Sequence, residues 1–184
     1  MHSCKSFLVR GAVLGLFALT ALLVFSPVGS QAAKDETLTK AQFLYNLALY
    51  TEWPESQFAS TRSDFKFCTI GAENVASALL WVSTGKKISG RSVDVVEVGS
   101  VGSIGSCHVV FFGETDEEKL GDYVAAVSGS GVLSAAPSEK FAQLGGVLGF
   151  EMVSGKVQFT INAAAVSREH LKIRDKLMSL GTVL

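Results

Sequence analysis

The run His108-Val109-Val110-Phe111-Phe112-Gly113 constrains the fold of this chain more than any other segment. A continuous apolar stretch ending in glycine suits a parallel strand buried on both faces. Phe65-Lys66-Phe67-Cys68-Thr69-Ile70-Gly71 reads as a second strand that also ends in glycine. Helical patterns occupy Glu73 to Val82, Asp116 to Val127 and Glu139 to Leu144, and further strands are expected at Val93 to Val98 and Val132 to Ser134. Asp116, Glu117 and Glu118 are favourably placed in a first helical turn. Val147 to Met152 and Lys156 to Ile161 flank Ser154-Gly155, which suits a β-hairpin. Strand and helix alternate, and a hairpin closes the sheet. The expected class is therefore α/β, a mixed β-sheet with helices on both faces in a single compact domain.

Both ends of that region carry helical signals. Thr39 with Gln42 forms a capping box ahead of Phe43 to Tyr50, and Trp53-Pro54 stops the helix because the residue before proline is pushed out of the α region. Phe43, Leu44, Leu47 and Tyr50 share one face, while Tyr45 and Leu49 lie on the other. A helix apolar on two sides is usually sandwiched. Its second side is either covered by the domain's own loops or presented to a second protein, which makes Tyr45, Leu49 and Trp53 partner-binding candidates. Asn162 is placed to cap the segment after the hairpin. Ile173, Leu177, Leu180 and Leu184 recur at helical spacing, so an amphipathic C-terminal helix is expected. Phe43, Leu47, Tyr50, Phe67, Ile70, Val109, Phe111, Phe159 and Ile161 are expected to share one core.

The N-terminal 33 residues bear on location. Lys5 and Arg10 precede an uncharged apolar run from Gly11 to Phe25, followed by small residues with a cleavage pattern near Ala32–Ala33. This order marks a secretory signal peptide, residues 1–32, and the run is shorter than the roughly 18 to 20 residues that span a bilayer. An uncleaved anchor is the alternative. Cys4 lies ahead of the apolar run and cannot become the first residue of a mature lipoprotein. The domain then comprises residues 33–184, with 14 basic and 17 acidic residues and no basic block. That composition argues against nucleic acid as the main partner, because phosphate binding needs clustered Lys and Arg. In an oxidising compartment Cys68 and Cys107 are read first as one disulfide. Half a zinc site with His108, or two separate buried thiols, are the alternatives.

Several segments together resemble one family. Lys40-Ala41-Gln42-Phe43-Leu44-Tyr45-Asn46 with Thr51-Glu52-Trp53-Pro54, then Phe67 to Gly71, Gly90-Arg91, Cys107-His108-Val109-Val110-Phe111, Gly145-Gly146-Val147-Leu148 and Val157 to Asn162, resemble the YfiR-type periplasmic proteins in order and spacing. The resemblance implies a compact α/β domain, a Cys68–Cys107 disulfide and a homodimer. It also implies a repressor of an inner-membrane diguanylate cyclase. Such a repressor binds the cyclase's periplasmic sensor region, lowers cyclic di-GMP and biofilm formation, and is itself sequestered by an OmpA-like outer-membrane lipoprotein. A second cysteine pair near Gly145–Glu151 is absent, so a redox-sensing role for it does not carry over.

No catalytic constellation emerges, and neither enzyme activity, cofactor nor metal is expected. Ser103 and Ser106 lie near Cys107-His108 without a nucleophile elbow. Glu114, Asp116, Glu117 and Glu118 read as a solvated helical turn. Arg168, His170 and Arg174, with Arg62, are candidate ligands for a small anion through charge-assisted hydrogen bonds, against the plainer reading of exposed helix charges. A small-ligand-binding accessory protein beside a transporter is the alternative function, and it requires a real pocket at the strand ends near Gly71 and Gly113.

Overall fold

The computed structural model describes residues 28–113 and 116–184, with side chains from residue 31 onward. Helix α1 (Val28–Leu49) leads into the short strand β1 (Thr51–Glu52) and a 3-10 turn at Glu55–Gln57. Next in the chain come β2 (Phe65–Ile70), α2 (Glu73–Ser83), β3 (Lys87–Ile88), β4 (Arg91–Glu97), β5 (Val109–Phe112), α3 (Glu117–Val127), β6 (Leu133–Ala136) and α4 (Glu139–Gln143). The chain closes with β7 (Leu148–Val153), β8 (Lys156–Ile161), α5 (Ala163–Arg168), β9 (Lys172–Ile173), α6 (Asp175–Met178) and β10 (Thr182–Val183).

Eight of these strands form one mixed sheet in the order β10-β8-β7-β6-β5-β2-β4-β3. Its centre is parallel: β2 lies between β4 and β5, with Phe67 opposite both Val95 and Val109. The β7–β8 hairpin and the β3–β4 pair are antiparallel. β1 and β9 form a separate two-stranded ribbon. Period-two alternation distributes the central strands between two cores. Phe67, Val109 and Phe111 meet α1 and α2 on one face, through Leu44, Leu47, Val75 and Leu79. Cys68, Val110 and Phe112 meet α3 and α4 on the other, through Leu120 and Phe141. The apolar runs of β2 and β5 therefore reflect burial on both sides, and the α/β class with helices on both faces holds.

Three expectations need correction. α1 begins well before Thr39, whose hydroxyl donates back to the Asp35 carbonyl at 2.8 Å inside the helix rather than capping it. Residues 28–32, the end of the expected signal peptide, form its first turns, and residues 1–27 lie outside the described residues. Ile70 follows Cys68 onto the second face instead of joining the core of Phe67 and Leu47. The C-terminal helix is replaced by β9, a single turn of α6, and β10. Ile173 pairs with Thr51, and the Leu184 N–H bonds the Ile161 carbonyl, so strand partners override the helical spacing. Gly181 completes the break: a Cβ there would lie 2.3 Å from the Phe159 ring, so the chain passes where only glycine fits.

Candidate partner-binding surface

α2 carries Leu79-Leu80-Trp81-Val82, four consecutive apolar residues. At 100° per residue they cannot all face the sheet. Val75, Leu79 and Val82 point inward and are buried. Leu80 and Trp81 turn outward and remain 57% and 70% exposed. Leu38 on α1 adds a third exposed apolar side chain, and Trp81 and Leu38 stand between two grooves. One groove, about 820 Å³, runs between the first turns of α1 and α2 past Lys34, Thr37 and Ala78. The other, about 420 Å³, continues past Phe43 and Asn46 to Val157. An exposed Trp between two apolar grooves has the composition of a binding hot spot. The four-residue apolar run is the sequence signal for it.

The residues singled out from sequence are placed differently. Tyr45 is only 4% exposed; its hydroxyl lies 3.5 Å from the Lys87 carbonyl, and the Lys86 ammonium sits 5.1 Å from its ring centroid. Burial pushes the Tyr45 hydroxyl pKa up. The indole of Trp53 donates to the His108 carbonyl at 3.2 Å and meets the Phe65 ring edge-on at 4.9 Å. Tyr45 is therefore buried beneath the α2–β3 connection, and Trp53, half-buried within the β1–β2 connection, packs against the core through Phe65 and His108. Leu49 stays exposed at the far end of α1, about 16 Å along the helix from Leu38.

The candidate anion ligands are engaged separately. Arg168 donates to Glu169 at 3.0 Å and to the Gly145 carbonyl at 2.6 Å. Arg174 pairs with Glu52 at 3.9 Å. Arg62 and His170 are exposed, and among the described residues no hydrogen bond or ion pair joins any of the four to another. Glu169, which no sequence pattern singles out, is the buried member of this region. Its carboxylate accepts from the N–H groups of Gly129 and Gly131, each at 2.9 Å, and so clamps the α3–β6 turn to α5. Ser106 accepts from the Lys66 ammonium at 3.3 Å. Asp116 pairs with Lys119 at 3.6 Å, Glu117 pairs with Lys140, and Glu114 lies outside the described residues.

Cys68 and Cys107 are joined, with Cα atoms 5.9 Å apart, and both are buried beside Ile104 in the second core. At the carboxyl ends of the parallel strands, Gly71, Phe111, Gly113 and Pro137 line a crevice of about 270 Å³. It lies between β2 and β5, whose onward connections diverge: β2 leads through α2 to β4 on one side, and β5 leads through α3 to β6 on the other. A Cβ on Gly113 would lie 2.0 Å from the Gly71 carbonyl oxygen, so close approach of the two strand ends requires glycine. Lys40 reaches the crevice while its ammonium pairs with Glu36 at 2.8 Å.

Among solved structures, an ABC domain from Streptococcus pneumonia in complex with L-Trp superposes with a TM-score of 0.51 at 11% identity. The match covers 78% of this chain but only 60% of that one, and it shows a shared fold alone. A conserved domain protein from Vibrio cholerae O1 biovar eltor gives a TM-score of 0.43 at 9% identity, over 64% of this chain and 54% of that one. Comparison with curated proteins finds no significant match. The family described as YfiR/HmsC-like, by contrast, matches residues 38–182, from the middle of α1 to the start of β10. The chain belongs to the YfiR/HmsC-like family.

Proposed function

We propose that this protein is a periplasmic repressor that binds the periplasmic sensor region of an inner-membrane diguanylate cyclase and so lowers cyclic di-GMP. The family is one of periplasmic regulators of diguanylate cyclase. The observation that carries the finer reading is the surface formed by Leu38, Leu80 and Trp81. A regulator that acts by binding needs desolvatable apolar surface rather than converging reactive groups, and this helix face supplies it. An OmpA-like outer-membrane lipoprotein as competing partner, and a homodimer as the free form, complete the proposal.

Trp81→Ala tests it directly. Because the side chain is mostly solvent-exposed, its removal is expected to leave the thermal midpoint within a few degrees of wild type. Affinity for the purified cyclase sensor region should fall about tenfold or more. Equal affinity in the variant would remove this surface from the proposal. Deletion of the gene is expected to raise cyclic di-GMP and biofilm formation. An unchanged level, with the cyclase expressed, would instead favour the small-ligand accessory, for which the crevice at Gly71 and Gly113 is the supporting observation.

A further inference from the structure

We propose that His108 is an acid-sensitive latch that holds the segment of residues 53–63 against the sheet. His108 starts the central strand region immediately after the disulfide and is only 4% exposed. Its imidazole is sandwiched between two rings: Phe58 of the segment, centroid distance 4.4 Å and 25° between planes, and Phe65 of β2, 4.8 Å and 24°. The Trp53 indole crosses the stack edge-on at 6.5 Å, and its N–H bonds the His108 carbonyl. Trp53 and Phe58 thus both rest on the histidine. Elsewhere the segment is held mainly by Arg91, which donates to the Ser60 and Ser63 carbonyls at 2.8 and 2.9 Å and caps the outer face of Phe58 at 3.7 Å.

This arrangement accepts only the neutral imidazole. Nδ1 accepts the Lys66 backbone N–H at 3.0 Å, which puts the single proton of the neutral ring on Nε2. Nε2 is buried toward the Gln57 backbone without a closed hydrogen bond. A second proton, on Nδ1, would have to displace the Lys66 N–H. The neighbouring charges do not compensate. Lys66 on β2 and Arg91 on β4 are both cations. Glu55 in the segment faces Arg91 at 3.8 Å, Glu52 on β1 faces Arg174, and Glu169 is occupied by Gly129, Gly131 and Arg168. Desolvation dominates; the Gln57 and Lys66 backbones oppose it in part, the Arg91 and Lys66 cations reinforce it, and the His108 pKa is lowered to about 4. Lifting the segment returns the ring to water, where it titrates near 6.5. Acid therefore favours the lifted state, which uncovers Phe58, Phe65 and Trp53. The periplasm exchanges protons readily with the medium, so a family member located there experiences external acidification.

The protein has two tryptophans, and Trp81→Phe leaves Trp53 as the sole indole reporter. In that chain Trp53 emission is expected to shift with a midpoint between pH about 6.5 and about 4, while far-UV ellipticity is retained. His108→Gln should abolish pH dependence in this window, because glutamine does not titrate. Phe58→Ala keeps the titrating group but weakens the stack, and should move the midpoint up by about 0.5 pH unit or more. Four results would each overturn the latch: no shift down to pH about 4, the same midpoint in His108→Gln, an unmoved midpoint in Phe58→Ala, or loss of far-UV ellipticity in step with the fluorescence.

Discussion

Leu47 is fully buried between α1 and the sheet, so Leu47→Ala removes transfer energy and leaves a cavity, with an expected loss of about 2 to 5 kcal/mol in urea denaturation. Glu169 acts through polarity instead. Its carboxylate satisfies two backbone N–H groups in the α3–β6 turn, and truncation strands both and leaves Arg168 only its bond to the Gly145 carbonyl. Glu169→Ala is expected to cost about 2 to 4 kcal/mol, more than Glu169→Gln, which keeps one acceptor oxygen. His108 contributes a pH dependence whose sign is fixed by its lowered pKa. Above pH about 6.5 the ring is neutral in both states and contributes nothing. Between about 6.5 and about 4 only the unfolded chain takes up the proton, so stability falls with acid and levels off below the folded value. The full loss is at most about 3 kcal/mol, read as the difference between wild type and His108→Gln across that window.

At the scale of elements, sequence is legible where a local rule and the tertiary environment agree. The hairpin forms around Ser154 and Gly155, both at positive φ, as a tight reverse turn requires. Asn162 caps α5 by accepting the Ala165 N–H at 2.8 Å, and its amide also donates to the Ala142 carbonyl. Asn162→Ala is therefore expected to cost about 1 to 2 kcal/mol by thermal or chemical unfolding. Legibility ends where distant partners decide. The spacing of Ile173, Leu177, Leu180 and Leu184 satisfies a helix, yet Ile173 is claimed by Thr51 and the last residues by β8. Only Leu177 of the four is buried, and Leu180 is mostly exposed. The start of α1 is hidden for a related reason: Thr39 and Gln42 match a capping box, but the preceding residues already support helix, so no end is there to cap. Apolar residues on the second side of α1 suggest a binding surface there. Tyr45 on that side is covered by the chain itself while Leu49 stays exposed, and the larger exposed apolar side chains, Leu80 and Trp81, belong to α2. Periodicity reports how many faces are apolar, not which of them the rest of the molecule covers.

For the whole molecule, Cys68 and Cys107 carry the most reliable long-range information, because a disulfide between them restricts the topology that can bring them together. Phe67 to Ile70 run beside Val109 to Phe112 in register, and the bond between Cys68 and Cys107 joins β2 to the lead-in of its neighbour. Cys68→Ser with Cys107→Ser releases a loop spanning 39 residues, with an expected loss of about 4 kcal/mol in the chain-entropy account. The same bond has a mechanical consequence. Tension applied to the two ends of the chain travels across the sulfurs and bypasses α2, β3 and β4, which lie wholly within the ring. At about 3.4 Å per extended residue, roughly 130 Å of contour length is thereby shielded from force. Stretched singly by its termini, the oxidised protein is expected to come up short by about that length and to recover it when reductant is added.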